Sequence, residues 1–114
     1  MKRNMKLYLQ DIVDSMLAIE QYTQKISEKD FYSDLQVQDA VIRRLEIIGE
    51  AVKNLDDDFK TKHHEIEWKQ IAGMRDIIAH EYFGVKLERV WDVVKQDIPV
   101  LKQKILKVLE GNNN

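Results

Sequence analysis

The sequence predicts an all-α fold, an up-and-down four- or five-helix bundle, and three observations carry that reading. Apolar residues recur at helical spacing along successive stretches of the chain. Four glycines and a single proline, Pro99, leave little of the punctuation that a chain of short strands needs. With 114 residues and 44% hydrophobic content, the chain can build one core but not two. A single domain is therefore assigned to residues 1–110, with residues 111–114 as a frayed Asn-rich tail.

The first helix is expected from Met5 to Ile26, where Leu9, Ile12, Val13, Met16, Ile19 and Tyr22 form an apolar stripe and Asp11, Asp14, Glu20 and Gln24 fall largely between them. Ser27-Glu28-Lys29-Asp30 has helix-capping character, so Phe31-Tyr32-Ser33 is read as a short turn before Asp34 caps the next long element. That second helix carries Val37, Val41, Leu45, Ile48, Val52 and Leu55, all at steps of three or four. Asp56-Asp57-Asp58 and the polar run to Glu67 are assigned to a solvated connection. A third helix takes Trp68, Ile71, Ala72, Ile78 and Ala79 as its apolar face and ends near Tyr82, since Gly84 suits a helix terminus. Lys86 to Lys95 gives a fourth, with Leu87, Val90, Trp91 and Val94. Pro99 then opens a final helix whose core face is Val100, Leu101, Ile105, Val108 and Leu109.

Composition removes several classes of function. No cysteine is present, which rules out a thiol nucleophile, a disulfide scaffold and a Cys-based metal site and points to a reducing compartment. No stretch approaches the ~18 apolar residues of a membrane span, so a soluble, cytoplasmic protein is expected. Charged residues make up 33% of the chain yet leave a net charge of −2, so contact with a polyanion has to be local. His63-His64 with Glu65 and Glu67 is read as a solvated loop rather than a metal site. Arg43, Arg44, Glu46 and Glu50 are read as an exposed face with intrahelical pairs, and the lysines at 95, 102, 104 and 107 as a solvated face.

One segment resists a purely structural account. In Gly73-Met74-Arg75-Asp76-Ile77-Ile78-Ala79-His80-Glu81-Tyr82-Phe83-Gly84, an arginine, a histidine and a tyrosine interrupt what otherwise reads as a buried helix. Five residues turn an ideal helix by ~140° beyond a full turn, so Arg75 and His80 do not share a face, whereas Arg75 and Tyr82 lie almost two full turns apart and do. Two geometries bring Arg75 and His80 to one substrate: a helix that frays at His80, or two copies of the segment meeting across a twofold axis. The groups suit metal-independent cleavage of a phosphodiester by an internal nucleophile, with His80 moving protons and Arg75 stabilising charge on phosphorus. Asp76 is placed to orient the imidazole or hold Arg75. Spacing alone also allows a structural role, with the arginine in a salt bridge, the histidine capping carbonyls and Tyr82-Phe83 packed in the core.

Resemblance narrows the choice. Asp39-Ala40-Val41-Ile42-Arg43-Arg44-Leu45-Glu46-Ile47-Ile48-Gly49-Glu50-Ala51, Trp68, Gly73-Met74-Arg75-Asp76, His80-Glu81-Tyr82-Phe83-Gly84-Val85, Val90-Trp91 and Asp97-Ile98-Pro99 together resemble the HepT-like proteins of the HEPN superfamily. The resemblance implies a homodimer with the motif lining a cleft between protomers. It also implies the toxin of a toxin–antitoxin pair, acting as a metal-independent ribonuclease on RNA. Arg75 and His80 match the catalytic pair, and Asp76 matches the polar residue that follows the arginine. Tyr82 matches the tyrosine that an antitoxin, a minimal nucleotidyltransferase of the MntA type, modifies with AMP from ATP. No cofactor of the chain itself is implied. The alternative is a non-catalytic subunit that binds the nucleotidyltransferase and presents a substrate or Tyr82 to it.

Overall fold

A computed structural model describes the backbone of residues 4–80 and 86–112, and the side chains of 4–75 and 86–111. Among these residues every regular element is helical. Helix α1 (Met5–Thr23) begins where the Asn4 side chain accepts from the Lys6 amide, and its inward stripe is Leu9, Ile12, Val13, Met16 and Ile19. The short α2 (Glu28–Ser33) is held at its start by a reciprocal box between Ser27 and Asp30. Asp34 ends α2 and caps α3 (Leu35–Lys53) by accepting from the Val37 amide at 3.1 Å, as expected, while Phe31-Tyr32-Ser33, expected as a short turn, is the end of the α2 helix. Val41, Leu45, Ile48 and Val52 are buried along α3, as the spacing predicts, while Val37 is only partly covered.

The polar run after α3 is not simply a solvated connection. Asp56 caps a further short helix, α4 (Asp57–Lys62), by accepting from the Phe59 amide at 2.8 Å. Ile66 is 2% exposed. The Trp68 indole donates to the carbonyls of Lys60 and His63, at 3.2 and 3.0 Å, which pins this segment to the start of α5 (Trp68–His80). One buried isoleucine and one indole N–H thus supply an anchor that the surrounding polar residues conceal.

The final rod also departs from expectation. Helix α6 (Leu87–Asp92) passes through a π-helical turn (Val93–Asp97) directly into α7 (Ile98–Asn112), so Pro99 lies inside a continuous helical path instead of opening a separate segment. The Ile98 amide bonds to the Val93 carbonyl, five residues back. This wider turn just before Pro99 accommodates a residue that has no N–H to offer an α-helical ladder. Ile98 is fully buried, and Val100, expected in the core, is 55% exposed because it lies off the stripe that Ile98, Leu101 and Ile105 form at steps of three and four. Leu101, Ile105, Val108 and Leu109 do face inward.

The core is shared by the long elements. Helix α3 packs between α1 and α5, and α1 also packs on α7. Fully buried Leu9, Ile12, Met16, Ile19, Ile48, Ile71 and Ile105 dominate it, each contributing about 1.5–3 kcal/mol by leaving water. Phe31 from α2 packs on Trp91 of α6, with ring centroids 5.2 Å apart. Two of the lysines expected on a solvated face have structural partners. Lys95 lies over the Trp91 ring and donates to the Thr23 carbonyl at the end of α1, and Lys102 pairs with Glu20. No helix among the described residues is long and apolar enough to cross a membrane.

Candidate functional site

Arg75 stands in the middle of α5, one position after the buried Met74 and four after the fully buried Ile71. These apolar neighbours fix the rotation of α5 and turn Arg75 toward α3. The meeting point on α3 is Gly49. A Cβ built there would lie 2.5 Å from the Arg75 Cβ, so no larger residue fits without movement of a helix. The dihedrals of Gly49 are ordinary, with no positive φ, and close approach is the reason this position suits glycine.

The residue after it supplies the arginine's partner. Glu50 Oε1 lies 2.8 Å from Arg75 Nη2 in an ion pair between α3 and α5. The Arg75 side chain is 35% exposed and that of Glu50 53%. At that exposure an ion pair contributes at most about 1 kcal/mol to stability, so its main effect is to orient the guanidinium.

Beside the pair is an open cleft of about 410 Å³ between α1, α3 and α5, with Tyr8, Asp11, Arg43, Glu46, Glu50 and Arg75 among its lining residues. Both signs of charge are present, and among the described residues Arg43 and Arg75 are the cationic groups on the wall. Arg43 pairs with Glu46 at 3.6 Å along the surface of α3, as an exposed intrahelical pair should. Glu50 does not follow that reading, because its partner is on another helix. The sequence did carry a signal for it: a glycine within the most regular apolar helix marks a close approach, and the next residue then borders whatever approaches.

Helix α5 extends through His80, so the backbone keeps helical register from Arg75 to that residue. In that register the two positions point about 140° apart around the axis. The side chains of Asp76 and His80 lie outside the described residues, as do Tyr82 and the expected helix end near Gly84. Among the described residues, the acid paired with Arg75 is Glu50. His63 packs on the Phe59 ring at 4.6 Å between centroids and has Glu65 at 3.6 Å.

Comparison with known proteins gives one consistent outcome. The model of the Ribonuclease HepT-like family matches residues 12–108. A protein of Methanocaldococcus jannaschii named "Gamma-glutamylcyclotransferase and putative RNase" is 52% identical over 110 residues, covering 96% of this chain and 50% of that protein. The chain thus spans half the length of that relative. One of Thermococcus cleftensis, "Probable ribonuclease HepT", is 51% identical over 108 residues, which is 95% of this chain and 98% of that one. A "Putative RNase" of Caldanaerobacter subterraneus is 42% identical over 103 residues, 90% and 92% of the two chains. No solved structure matches the chain.

Proposed function

Since the chain belongs to the HepT-like family, we propose that it is a metal-independent endoribonuclease, the toxin of a toxin–antitoxin pair, with Arg75 and His80 as its catalytic groups. The observation that carries this reading is the bearing of Arg75. Its guanidinium is anchored on the wall of an open cleft by an acid from a neighbouring helix, on the helix that also bears His80. A guanidinium so held meets two phosphate oxygens in a fixed plane and stabilises the charge that grows on phosphorus.

The reaction needs proton transfer at both ends. A histidine takes the proton of a ribose 2′-hydroxyl as that oxygen attacks phosphorus, and a proton returns to the 5′-oxygen as its bond to phosphorus breaks. The products are a 2′,3′-cyclic phosphate and a free 5′-hydroxyl. Because Arg75 and His80 diverge on their helix, the site is composed of two copies of the chain, with the arginine of one and the histidine of the other bordering a shared crevice.

Silencing acts on the same element. A nucleotidyltransferase antitoxin transfers AMP from ATP to the Tyr82 oxygen, with loss of pyrophosphate. Tyr82 follows Arg75 by seven residues, a spacing that on an ideal helix brings two positions to one face, so on this reading the adduct sets a bulky anion against the binding of RNA. The modified protein stays folded and loses activity.

Incubation of the purified, unmodified protein with RNA in EDTA tests the reading. Cleavage leaving cyclic phosphate ends is expected, falling about 10²–10³-fold in Arg75→Ala and about 10²–10⁴-fold in His80→Ala. Parental rates in both variants would overturn it. Harmless expression together with a stable nucleotidyltransferase complex would favour a substrate-presenting subunit instead.

A further inference from the structure

We infer that Glu50 is a positioning residue for Arg75, and that Gly49 and Glu50 together form a seat that sets the angle at which the guanidinium meets RNA. This inference rests on the ribonuclease reading and deepens it. Gly49 removes the side chain that would separate the two helices, since any Cβ there would come within 2.5 Å of the Arg75 Cβ. Glu50 then engages Arg75 Nη2 at 2.8 Å from the side of α3. An arginine side chain has several rotatable bonds and on an open surface samples many orientations. Fixing one guanidinium nitrogen while the stem rests against a glycine selects among them before substrate arrives.

The carboxylate has a second, opposing effect. Lying within hydrogen-bond distance of the cation, it partly cancels the field that a phosphate feels and so weakens binding of uncut RNA. The remaining N–H donors of Arg75 still point along a set direction, and their attraction grows as charge accumulates on phosphorus. Glu50 therefore trades ground-state affinity for rate, and a purely structural ion pair has no such signature. The Glu50 backbone carbonyl also accepts from the side-chain Nδ2 of Asn54 at 2.8 Å, which steadies the end of α3 that carries the seat.

Two substitutions separate geometry from charge. Glu50→Gln keeps an acceptor oxygen for Arg75 and removes the charge; Glu50→Ala removes both. With cleavable RNA, Glu50→Ala should lose about ten- to a hundredfold in kcat, and Glu50→Gln should recover most of it. Binding of uncleavable 2′-O-methyl RNA should strengthen in both, by up to about fivefold. Combining Glu50→Ala with Arg75→Ala should cost no more than Arg75→Ala alone, because a seat without its occupant has no effect.

A parental kcat in Glu50→Ala would overturn the inference, as would RNA affinity falling in step with rate in both variants. Should the parent itself fail to cut RNA, or Arg75→Ala cut normally, the ribonuclease reading falls separately. The seat is then judged by NMR of the Arg75 guanidinium in the intact protein. Rotation about its Nε–Cζ bond should be slow in the parent and fast in Glu50→Ala, and equal rates in the two would remove the seat as well.

Discussion

Replacing Gly49 by alanine loads the contact between α3 and α5 at the point where Arg75 is presented. The new Cβ would sit 2.5 Å from the Arg75 Cβ and 3.4 Å from its Cγ and Cδ, whereas carbon atoms rest about 3.5–4.0 Å apart. The shortest contact is thus too close by about 1 Å, and because both Cβ atoms hang directly from helix backbones no rotamer change relieves it. Overpacking of this kind costs about 1–3 kcal/mol. Alanine's advantage over glycine inside a helix offsets about 0.8–1.0 kcal/mol of that. The expected net loss is on the order of 1 kcal/mol, or about 4 °C in melting temperature for a domain of this size. Activity should suffer far more, since a displacement of ~1 Å at a positioned group can cost about 10²-fold in rate. The buried indoles of Trp68 and Trp91 report unfolding by fluorescence, and RNA cleavage gives the rate. A Gly49→Ala protein that melts above the parent and cuts at the parental rate would refute the close-approach argument.

Other expectations follow from the same packing. Gly73, inside α5, has ordinary dihedrals and, among the described residues and apart from the backbone of its own helix, no atom within 4 Å of the place a Cβ would occupy, so Gly73→Ala should stabilise the chain by about 0.5–1 kcal/mol in a denaturant titration. Ile71→Ala, which removes a fully buried side chain one turn before Arg75, should cost about 2–5 kcal/mol in the same titration. The Tyr32 phenol donates to Glu28, and that bond, with burial and nearby acids, raises its pKa from 10.0 to about 12. Its contribution to stability is present below the unfolded value near 10 and is lost as pH rises through about 12. Absorbance titration should show a late-ionising component that disappears in Tyr32→Phe.

Where the chain repeats one physical pattern, its sequence was enough to place the structure. The stripe from Leu9 to Ile19 and the steps from Val41 to Val52 each bury one side of a helix, and both helices form at these positions, the first ending at Thr23, three residues before the expected Ile26. Asp34 was legible as a cap because its carboxylate serves an amide only three residues away. The misreadings have non-local or unusual causes. A π-helical turn joins α6 to α7 without a break before Pro99, and within α7 the steps of three and four from Ile98 to Leu101, Ile105 and Val108 define the inward face and leave Val100 outside it. Ile66 is a single apolar residue among charges, and only the indole of Trp68 and the start of α5 make its site a buried one.

The candidate site divides in the same way. Arg75 stood out as a polar head in an apolar stretch, but charge alone did not separate Glu50 from its neighbours on α3, and only the glycine before it marked the position. Its significance depends on a helix that lies 25 residues further along the chain. Local charge patterning can suggest pairs three or four residues apart; it holds no information about which acid will face an arginine across a bundle.

The composite site is tested most directly by subunit mixing. Arg75→Ala and His80→Ala chains, each inactive alone, are unfolded together, refolded as a mixture and assayed on RNA in EDTA. If arginine and histidine act across the interface, mixed dimers retain one working pair and cleavage returns. A mixture as inactive as its components, with exchange of subunits verified by mass, would contradict the shared site.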